Sequence, residues 1–250
     1  MAESQKYYLG DTVIYTQYLG THKSGVYYDF PPFPSPVTSS LQIWLDAANT
    51  SSFTPGDSVW YDLVNTYNVG LEGVYTSGST PTEFIDFDGD TGRGAIGNSP
   101  QFTGEFTLTT WFRIDVKGLN TVLGGSENST QDAQGKILLY DNGDVQFRAV
   151  RNGASVRIPI GYDTGSMDGT WHQLNVKRDV NNWISASLDD GAWNTGSAAI
   201  GGTFKPVYVA DSLNTGQNFD GAFSNMLIYT SSLSDADVLI NYNYYAQYFI

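Results

Sequence analysis

The stretches Thr170–Arg178, TWHQLNVKR, and Trp183–Gly191, WISASLDDG, together predict a β-hairpin at the centre of the fold. Apolar and polar residues alternate along both stretches, and a period of two is typical of strands that bury one side. Residues 179–182 form a polar connection, and the Asp-Asp-Gly that closes the second stretch has the composition of a turn. Because an isolated hairpin is only marginally stable in water, this hairpin is expected to lie within a larger packed sheet.

Strand patterns with turn signals between them continue on both sides of this hairpin. Asn142-Gly143 and Asn152-Gly153 separate alternating segments, and Asn-Gly is the strongest short-range hairpin signal because both of its residues tolerate positive φ. The long polar region Ala47–Tyr67 is predicted to be a surface loop. About a dozen short strands at this spacing predict an all-β fold, a two-sheet antiparallel sandwich.

One short C-terminal helix is predicted after the last strand. Ser234 suits its N-cap, and Asp235 and Asp237 lie in the first turn, where the helix dipole favours acids. Leu233 is placed to pack against Val238 across this helix start. One face is apolar at helical spacing, and it is formed by Val238, Leu239, Tyr242, Tyr245, Ala246 and Phe249. We expect this face to dock on a sheet edge or on the N-terminal segment.

Residues 1–38 differ from the rest and predict an extended N-terminal arm before a domain over residues 39–250. Tyr8-Leu9-Gly10 recurs as Tyr18-Leu19-Gly20, and a turn at Gly10-Asp11 predicts a small hairpin. Four prolines within residues 31–36 favour a stiff, extended linker. An arm this short buries little surface alone, so we expect it to pack on the domain or on another chain, with the two tripeptides as assembly anchors.

Composition excludes several functional classes. The chain of 250 residues carries 26 acidic and 12 basic residues, a formal charge of −14, and no basic run, which argues against binding to nucleic acid or to an anionic membrane surface. Cysteine is absent, so disulfides, thiolate nucleophiles and cysteine metal sites are excluded. No apolar run is long enough to insert into a membrane, and the first seven residues lack the apolar core of a signal peptide.

The central hairpin, with its Trp-His opening and Asp-Gly close, resembles the centre of a laminin-G-like, concanavalin A-type jelly roll. Other segments are similar in the same order: Phe84–Gly89, Phe106–Arg113, Gly221–Tyr229 and Leu233–Asp237. The resemblance extends over about residues 40–250 and implies a jelly-roll sandwich. The Tyr-Leu-Gly repeat is similar to short N-terminal segments of bacteriophage virion proteins that carry such a domain, which implies a location on the virion.

Catalytic patterns are weak in this sequence. A serine hydrolase would need His172 as its base, yet His172 lies in the predicted central strand. The related glucanases need paired carboxylates, and Glu83, Asp86 and Asp88 are the nearest candidates. Asp86 and Asp88 share a strand face, whereas Glu83 falls on the opposite one by parity. The sequence therefore predicts a non-enzymatic protein without a catalytic residue.

Glycan binding needs aromatic rings beside amide groups, and three loop residues fit: Trp193, Asn214 and Asn218. Three other tryptophans are predicted to lie in the core and not in a glycan site: Trp44, Trp111 and Trp171. No cofactor and no metal site is predicted. Calcium binding is the alternative for two clusters of oxygen ligands, which match no calcium-loop motif: Asp86, Asp88 and Asp90, and Asp211, Asn214, Asn218 and Asp220.

These patterns together favour a bacteriophage virion structural protein of the capsid, tail or baseplate. Its arm would bind other virion proteins, and copies of the chain would form a homo-oligomer. Its jelly roll would face outward and contact host-surface glycan. A soluble lectin module and, less favoured, a glucanase-like hydrolase are the alternatives.

Overall fold

The structure is a computed structural model. It describes residues 35–73, 75–79, 81–116, 120–125, 135–140, 143–148, 155–160, 169–211 and 218–249, together with the backbone of residues 6–9 and 12–15. The chain divides into two compact units, residues 1–32 and residues 33–250. The predicted hairpin in the first unit is present in its backbone, where Lys6–Leu9 pairs antiparallel with Thr12–Tyr15. Gly10, Tyr18, Leu19 and Gly20 of the predicted anchors lie outside the described residues.

The second unit is built almost entirely from strands, as the periodicity predicted. The strands in chain order are β1 (Lys6–Leu9) and β2 (Thr12–Tyr15) of the first unit, then β3 (Leu41–Asp46), β4 (Val59–Trp60), β5 (Val69–Glu72), β6 (Tyr75–Gly78), β7 (Phe84–Asp88), β8 (Arg93–Ile96), β9 (Phe106–Ile114), β10 (Asn120–Gly124), β11 (Lys136–Leu139), β12 (Asp144–Arg148), β13 (Ser155–Pro159), β14 (Trp171–Arg178), β15 (Trp183–Leu188), β16 (Asn194–Ala199), β17 (Tyr208–Val209) and β18 (Asp220–Tyr229). The helix α1 (Asp235–Ala246) follows. Within the described residues, no helix is long and apolar enough to cross a membrane.

Two antiparallel sheets form the predicted sandwich. Sheet A has the strand order β13-β12-β11-β10-β17-β8-β5-β4, and sheet B has the order β16-β15-β14-β9-β18-β7-β6, with β3 also paired to β18. The central hairpin is confirmed as β14 and β15, and Val176 lies opposite both Ala186 and Leu108 of β9. The all-β sandwich with one C-terminal helix is therefore confirmed.

The main core lies between the sheets and is filled by alternate residues from each strand. Leu174 and Val176 of β14 point into it and are fully buried. The region Ala47–Tyr67 is not simply a polar surface loop: Phe53 and Trp60 are buried in the same core, and β4 pairs with β5. Phe53 and Trp60 are buried although the residues around them are polar. Removing two such large aromatic side chains from water is favourable enough to hold this segment against the core.

Helix α1 covers the outer face of sheet B, meaning the face turned away from sheet A. Ser234 is its N-cap, and the hydroxyl accepts from the Asp237 amide, as predicted. Leu233 and Val238 are both buried in a second apolar cluster with Leu227 and Tyr229 of β18. The helix thus docks on the face of a sheet and not on its edge, because β9, β14 and β18 present aromatic and aliphatic side chains there.

Candidate functional site

The outer face of sheet B is built by strand alternation. Trp171, Gln173, Asn175 and Lys177 of β14 project to this face, while the residues between them enter the main core or its rim. Alternation predicted that this strand buries one side only. Gln173 and Asn175 are nevertheless fully buried, on the face where Tyr242 of α1 and Phe249 stack on Trp111, the cross-strand neighbour of Gln173.

Aromatic rings dominate the covered part of this face. Trp111 of β9 is 2% exposed, and its ring stacks on Phe249 with a centroid separation of 4.4 Å and an interplanar angle of 14°. Tyr242 of α1 stacks on the same indole at 5.5 Å. Trp171 is half-buried and contacts Phe249 at 4.9 Å and Phe84 at 5.5 Å. Trp111 is therefore buried as predicted, but in the second cluster, and Trp171 and Trp44 lie at the margin of that cluster.

Polar side chains lie directly beside these rings. We use the name polar layer for Thr109, Trp111, Gln173, Asn175 and Asn225, which neighbour one another because Gln173 pairs with Trp111, Asn175 with Thr109, and Trp111 with Asn225. Six side-chain atoms of the layer are buried without a hydrogen-bond partner among the described residues: Thr109 Oγ1, Trp111 Nε1, Gln173 Nε2, Gln173 Oε1, Asn175 Oδ1 and Asn225 Nδ2. Sequence reasoning missed this layer, although its two-residue spacing on β9 and β14 was visible.

Trp193, the predicted glycan contact, packs at the margin of the second cluster. It is half-buried in the turn before β16, and Lys177 Nζ lies 4.0 Å from the centre of its ring. Lys177 also forms an ion pair with Asp235 of α1, with Nζ 2.7 Å from Oδ1. Trp193 thus packs against the same apolar cluster as Trp111 and Trp171 on the outer face.

Asn218, the second predicted contact, lies elsewhere on sheet B. It precedes β18, and its amide donates to the carbonyl of Asp90. It lies four strands away from Trp193 across the sheet and about seven residues away along the strands. This places the two residues roughly 25–30 Å apart. Asn214 lies outside the described residues. Trp193 and Asn218 therefore remain predictions for separate contacts and do not form one site.

The carboxylates considered for glucanase chemistry have other partners. Asp86 Oδ2 accepts from Arg113 Nη2 at 2.7 Å, and Arg113 also pairs with Asp115. Burial and the neighbouring Asp115 raise the pKa of Asp86, against the lowering effect of Arg113. Asp88 shares its strand face, as predicted. Slight burial raises the pKa of Asp88, but hydrogen bonds from the Gly92, Asp90 and Thr91 amides lower it overall. Asp88 thus stabilises the turn that follows β7.

Some members of the two acidic clusters considered for calcium meet at one end of sheet B, whereas Asp211 follows β17 of sheet A and pairs with Arg93. Asp220 of β18 pairs with Asp88 of β7, and Asn218 bonds to Asp90. Burial, followed by the charges of Asp115 and Asp88, raises the pKa of Asp220. In the described part of the chain, no three acidic or histidine side chains are arranged to hold a metal ion. The prediction of no metal site, with calcium as the alternative, is not tested by this arrangement and stays a prediction.

His172 lies at the edge of the hairpin and contacts two side chains. Its Nδ1 is 2.8 Å from Asp189 Oδ2, and its Nε2 is 3.0 Å from Thr170 Oγ1. Asp189 also accepts from the Gln173 amide at 2.8 Å. These bonds tie the start of β14 to the end of β15, and this geometry agrees with a structural role for His172.

Comparison with known proteins places this sheet arrangement in a family. A model of the concanavalin A-like lectin/glucanases superfamily, of the laminin G type, matches residues 88–239, more than half of the chain. The chain therefore belongs to this superfamily. No curated protein matches the sequence.

Several solved structures share the fold at low sequence identity. The binding domain of Paraclostridial Mosquitocidal Protein 1 superposes with a TM-score of 0.63 at 13% identity, covering 82% of this chain and 52% of that one. The binding domain of botulinum neurotoxin DC in complex with SialylT gives 0.59 at 15% identity, with 82% and 51% covered. Domain 4 of AbnA, a GH43 extracellular arabinanase from Geobacillus stearothermophilus, in complex with arabinotriose, gives 0.60 at 12% identity, with 80% and 97% covered. The chain thus spans about half the length of the two toxin domains.

Proposed function

We propose that the chain is a non-enzymatic, lectin-like module that binds glycan on the outer face of sheet B. The observation that carries this proposal is a pair of half-buried rings, Trp171 and Trp193, on the same face as buried amide atoms that have no hydrogen-bond partner among the described residues. These atoms are Gln173 Nε2 and Oε1, Asn175 Oδ1 and Asn225 Nδ2. Sugar rings stack on aromatic side chains through their C–H faces, and their hydroxyl groups donate to and accept from amides. A few well-placed polar groups among aromatic side chains are typical of sites that bind small ligands. Two of the structural relatives are described in complex with SialylT or arabinotriose, which supports a glycan as the ligand class.

The carboxylates support binding without turnover. Asp86 is committed to Arg113, and Asp88 accepts three backbone amides. A retaining or inverting glycosidase needs one carboxyl group free to donate a proton and a second free to attack or to activate water. Neither role fits side chains engaged in this way.

Replacing Trp171 with alanine is expected to weaken glycan binding at least tenfold, because it removes a ring that lies beside the polar layer. Binding is measured by screening the full chain on a glycan array and then titrating the strongest ligand by calorimetry. Trp183→Ala is the matched control, since Trp183 is 40% exposed and lies outside both apolar clusters. Equal affinity of Trp171→Ala and wild type, or no glycan bound by the full chain, would refute the proposal.

The finer part of the proposal is that the N-terminal arm attaches this module to a bacteriophage particle. Its support is the repeated Tyr8-Leu9-Gly10 and Tyr18-Leu19-Gly20, the hairpin β1–β2 and the proline-rich linker. The arm would bind other virion structural proteins and further copies of the chain, and the jelly roll would be displayed on the virion.

Removal of the arm is expected to abolish incorporation into particles and to leave a folded jelly roll. The cut is best placed after Pro32, where the second compact unit begins, because the Val37 amide donates to Asn241 of α1 and its carbonyl accepts from Tyr229. Light scattering on the full chain and on residues 33–250 measures the oligomeric state, and co-sedimentation with particles measures incorporation. Particles that take up both proteins equally would exclude an anchoring role for the arm.

A further inference from the structure

We propose that Phe249 and the turn that carries it cover a saccharide subsite formed by the polar layer on Trp111, so that the chain holds this subsite closed until a ligand displaces the ring. The inference rests on the proposed glycan-binding function and assigns to that face a ligand class and a cover. The subsite would take one uncharged hexose or pentose unit of a glycan.

The unpaired atoms of the polar layer are the first argument. Six of the seven buried, unpaired side-chain atoms in the described residues belong to it, and the remaining one is Trp60 Nε1. Buried polar groups in native proteins are almost always hydrogen-bonded, so such a concentration on three adjacent strands requires an explanation. Three of the six atoms are N–H donors, two are amide oxygen acceptors, and the Thr109 hydroxyl can donate or accept. Hydroxyl groups, which donate and accept at once, match such a mixed set.

The cover over the layer is the second argument. Phe249 lies parallel to the Trp111 indole at 4.4 Å, the position that a stacked sugar ring would occupy. Its backbone is held by one hydrogen bond, from its amide to the Ala246 carbonyl at 3.0 Å, beyond the last turn of α1. The phenyl ring offers no hydrogen bond to Gln173 or Asn175. A ring with hydroxyl groups in its place would retain the stacking and satisfy the layer.

The charges around the layer determine the ligand class. All five residues of the layer are uncharged. Lys177, on the same face, is paired with Asp235, and Asp46, opposite Asn225, accepts from the Ala48 amide and from the Tyr245 hydroxyl. Arg113, whose guanidinium lies 5.6 Å from the centre of the Trp171 ring, is paired with Asp86 and Asp115. Lys177 and Arg113 are thus already paired with carboxylates, which makes a neutral sugar the better match.

Phe249→Ala in the full chain tests the cover. We expect it to bind uncharged oligosaccharides at least tenfold more tightly than wild type, measured by calorimetry with arabinose- and hexose-based oligosaccharides and with sialylated ones. Tyr248→Ala is the matched control, because Tyr248 is 40% exposed and adjacent in the same turn. Equal binding by wild type and Phe249→Ala, with Trp171→Ala still weaker, would overturn the cover and leave the glycan-binding function standing. Binding by none of them would overturn both.

Gln173→Met tests the polar layer through stability as well as binding. The thioether is close in shape to the amide and needs no partner, so the melting temperature is expected to rise by about 3 °C while glycan binding in the Phe249→Ala background falls at least tenfold. A lower melting temperature with unchanged binding would show that buried water already satisfies Gln173, and would overturn the subsite. Trp183→Ala again serves as the control for binding.

Discussion

Replacement of Arg178 with methionine is expected to destabilise the jelly roll by about 3–5 kcal/mol. Arg178 is fully buried at the end of β14, and no carboxylate of the described residues forms an ion pair with it. Its guanidinium donates to three backbone carbonyls instead: Nε to Gly104 at 2.5 Å, Nη1 to Gly202 at 2.9 Å and Nη2 to Phe102 at 3.0 Å. Methionine fills a similar volume but leaves all three carbonyls without a donor, and burial of unpaired polar groups is costly.

Denaturant unfolding followed by tryptophan fluorescence measures this effect. Arg157→Met is the matched control, because Arg157 is exposed on β13 and rests on the ring of Tyr140, so its loss is expected to cost less than about 1 kcal/mol. Arg178→Lys is expected to fall between wild type and Arg178→Met, since an ammonium group does not reproduce the fork of a guanidinium. An Arg178→Met protein within about 1 kcal/mol of wild type would contradict this account.

Replacement of Asp46 with asparagine is expected to stabilise the fold near neutral pH by on the order of 2–3 kcal/mol. Asp46 is buried beneath α1, and this burial is the main reason that its pKa is raised from 3.8 to about 6. Because the pKa of Asp46 is raised in the folded state, protonated Asp46 contributes to the free energy of unfolding. This contribution is fully present below about pH 3.8 and is lost as pH rises through about 6. The free energy of unfolding of wild type therefore falls over this pH interval, whereas that of Asp46→Asn lacks the part of the fall that comes from Asp46.

Unfolding curves recorded in steps from about pH 4 to about pH 8 test this prediction. Asp86 and Asp220 also have raised pKa values and Asp88 a lowered one, but all three are common to both proteins, so the difference between the curves isolates Asp46. Asp190→Asn, at an exposed turn, controls for the loss of one surface charge. If the free energies of wild type and Asp46→Asn stay parallel across the interval, the proposed burial of a titrating carboxyl is wrong.

The sequence predicted best those features that depend only on residues close together in the chain. The β14–β15 hairpin and the N-cap Ser234 were predicted with nearly their observed bounds. Each depends on alternation, capping or turn chemistry within a few residues. The two-residue strand β4 was not recognised, because so short a pairing leaves no periodicity to read in the sequence.

In the candidate site, too, local patterns were visible in the sequence and contacts between distant residues were not. Trp193 was predicted as a glycan contact from the sequence, since an aromatic beside an amide in a turn is a local pattern, and that role stays a prediction. The polar layer was not identified, because Gln173 and Asn175 alternate with apolar residues just as solvent-exposed positions would. Only the docking of α1, more than sixty residues further along the chain, turns these positions into buried ones.

The sequence by itself determined the all-β class, the inward face of the central hairpin and the helix with its cap, because these follow from propensity and period along the chain. The tertiary structure alone decided which outer face is covered, that Arg178 donates its hydrogen bonds to backbone carbonyls, and that Trp111 lies under Phe249. Alternation states that one side of a strand meets apolar partners. It carries no information about what packs on the other side, which is settled by contacts between residues far apart in the chain.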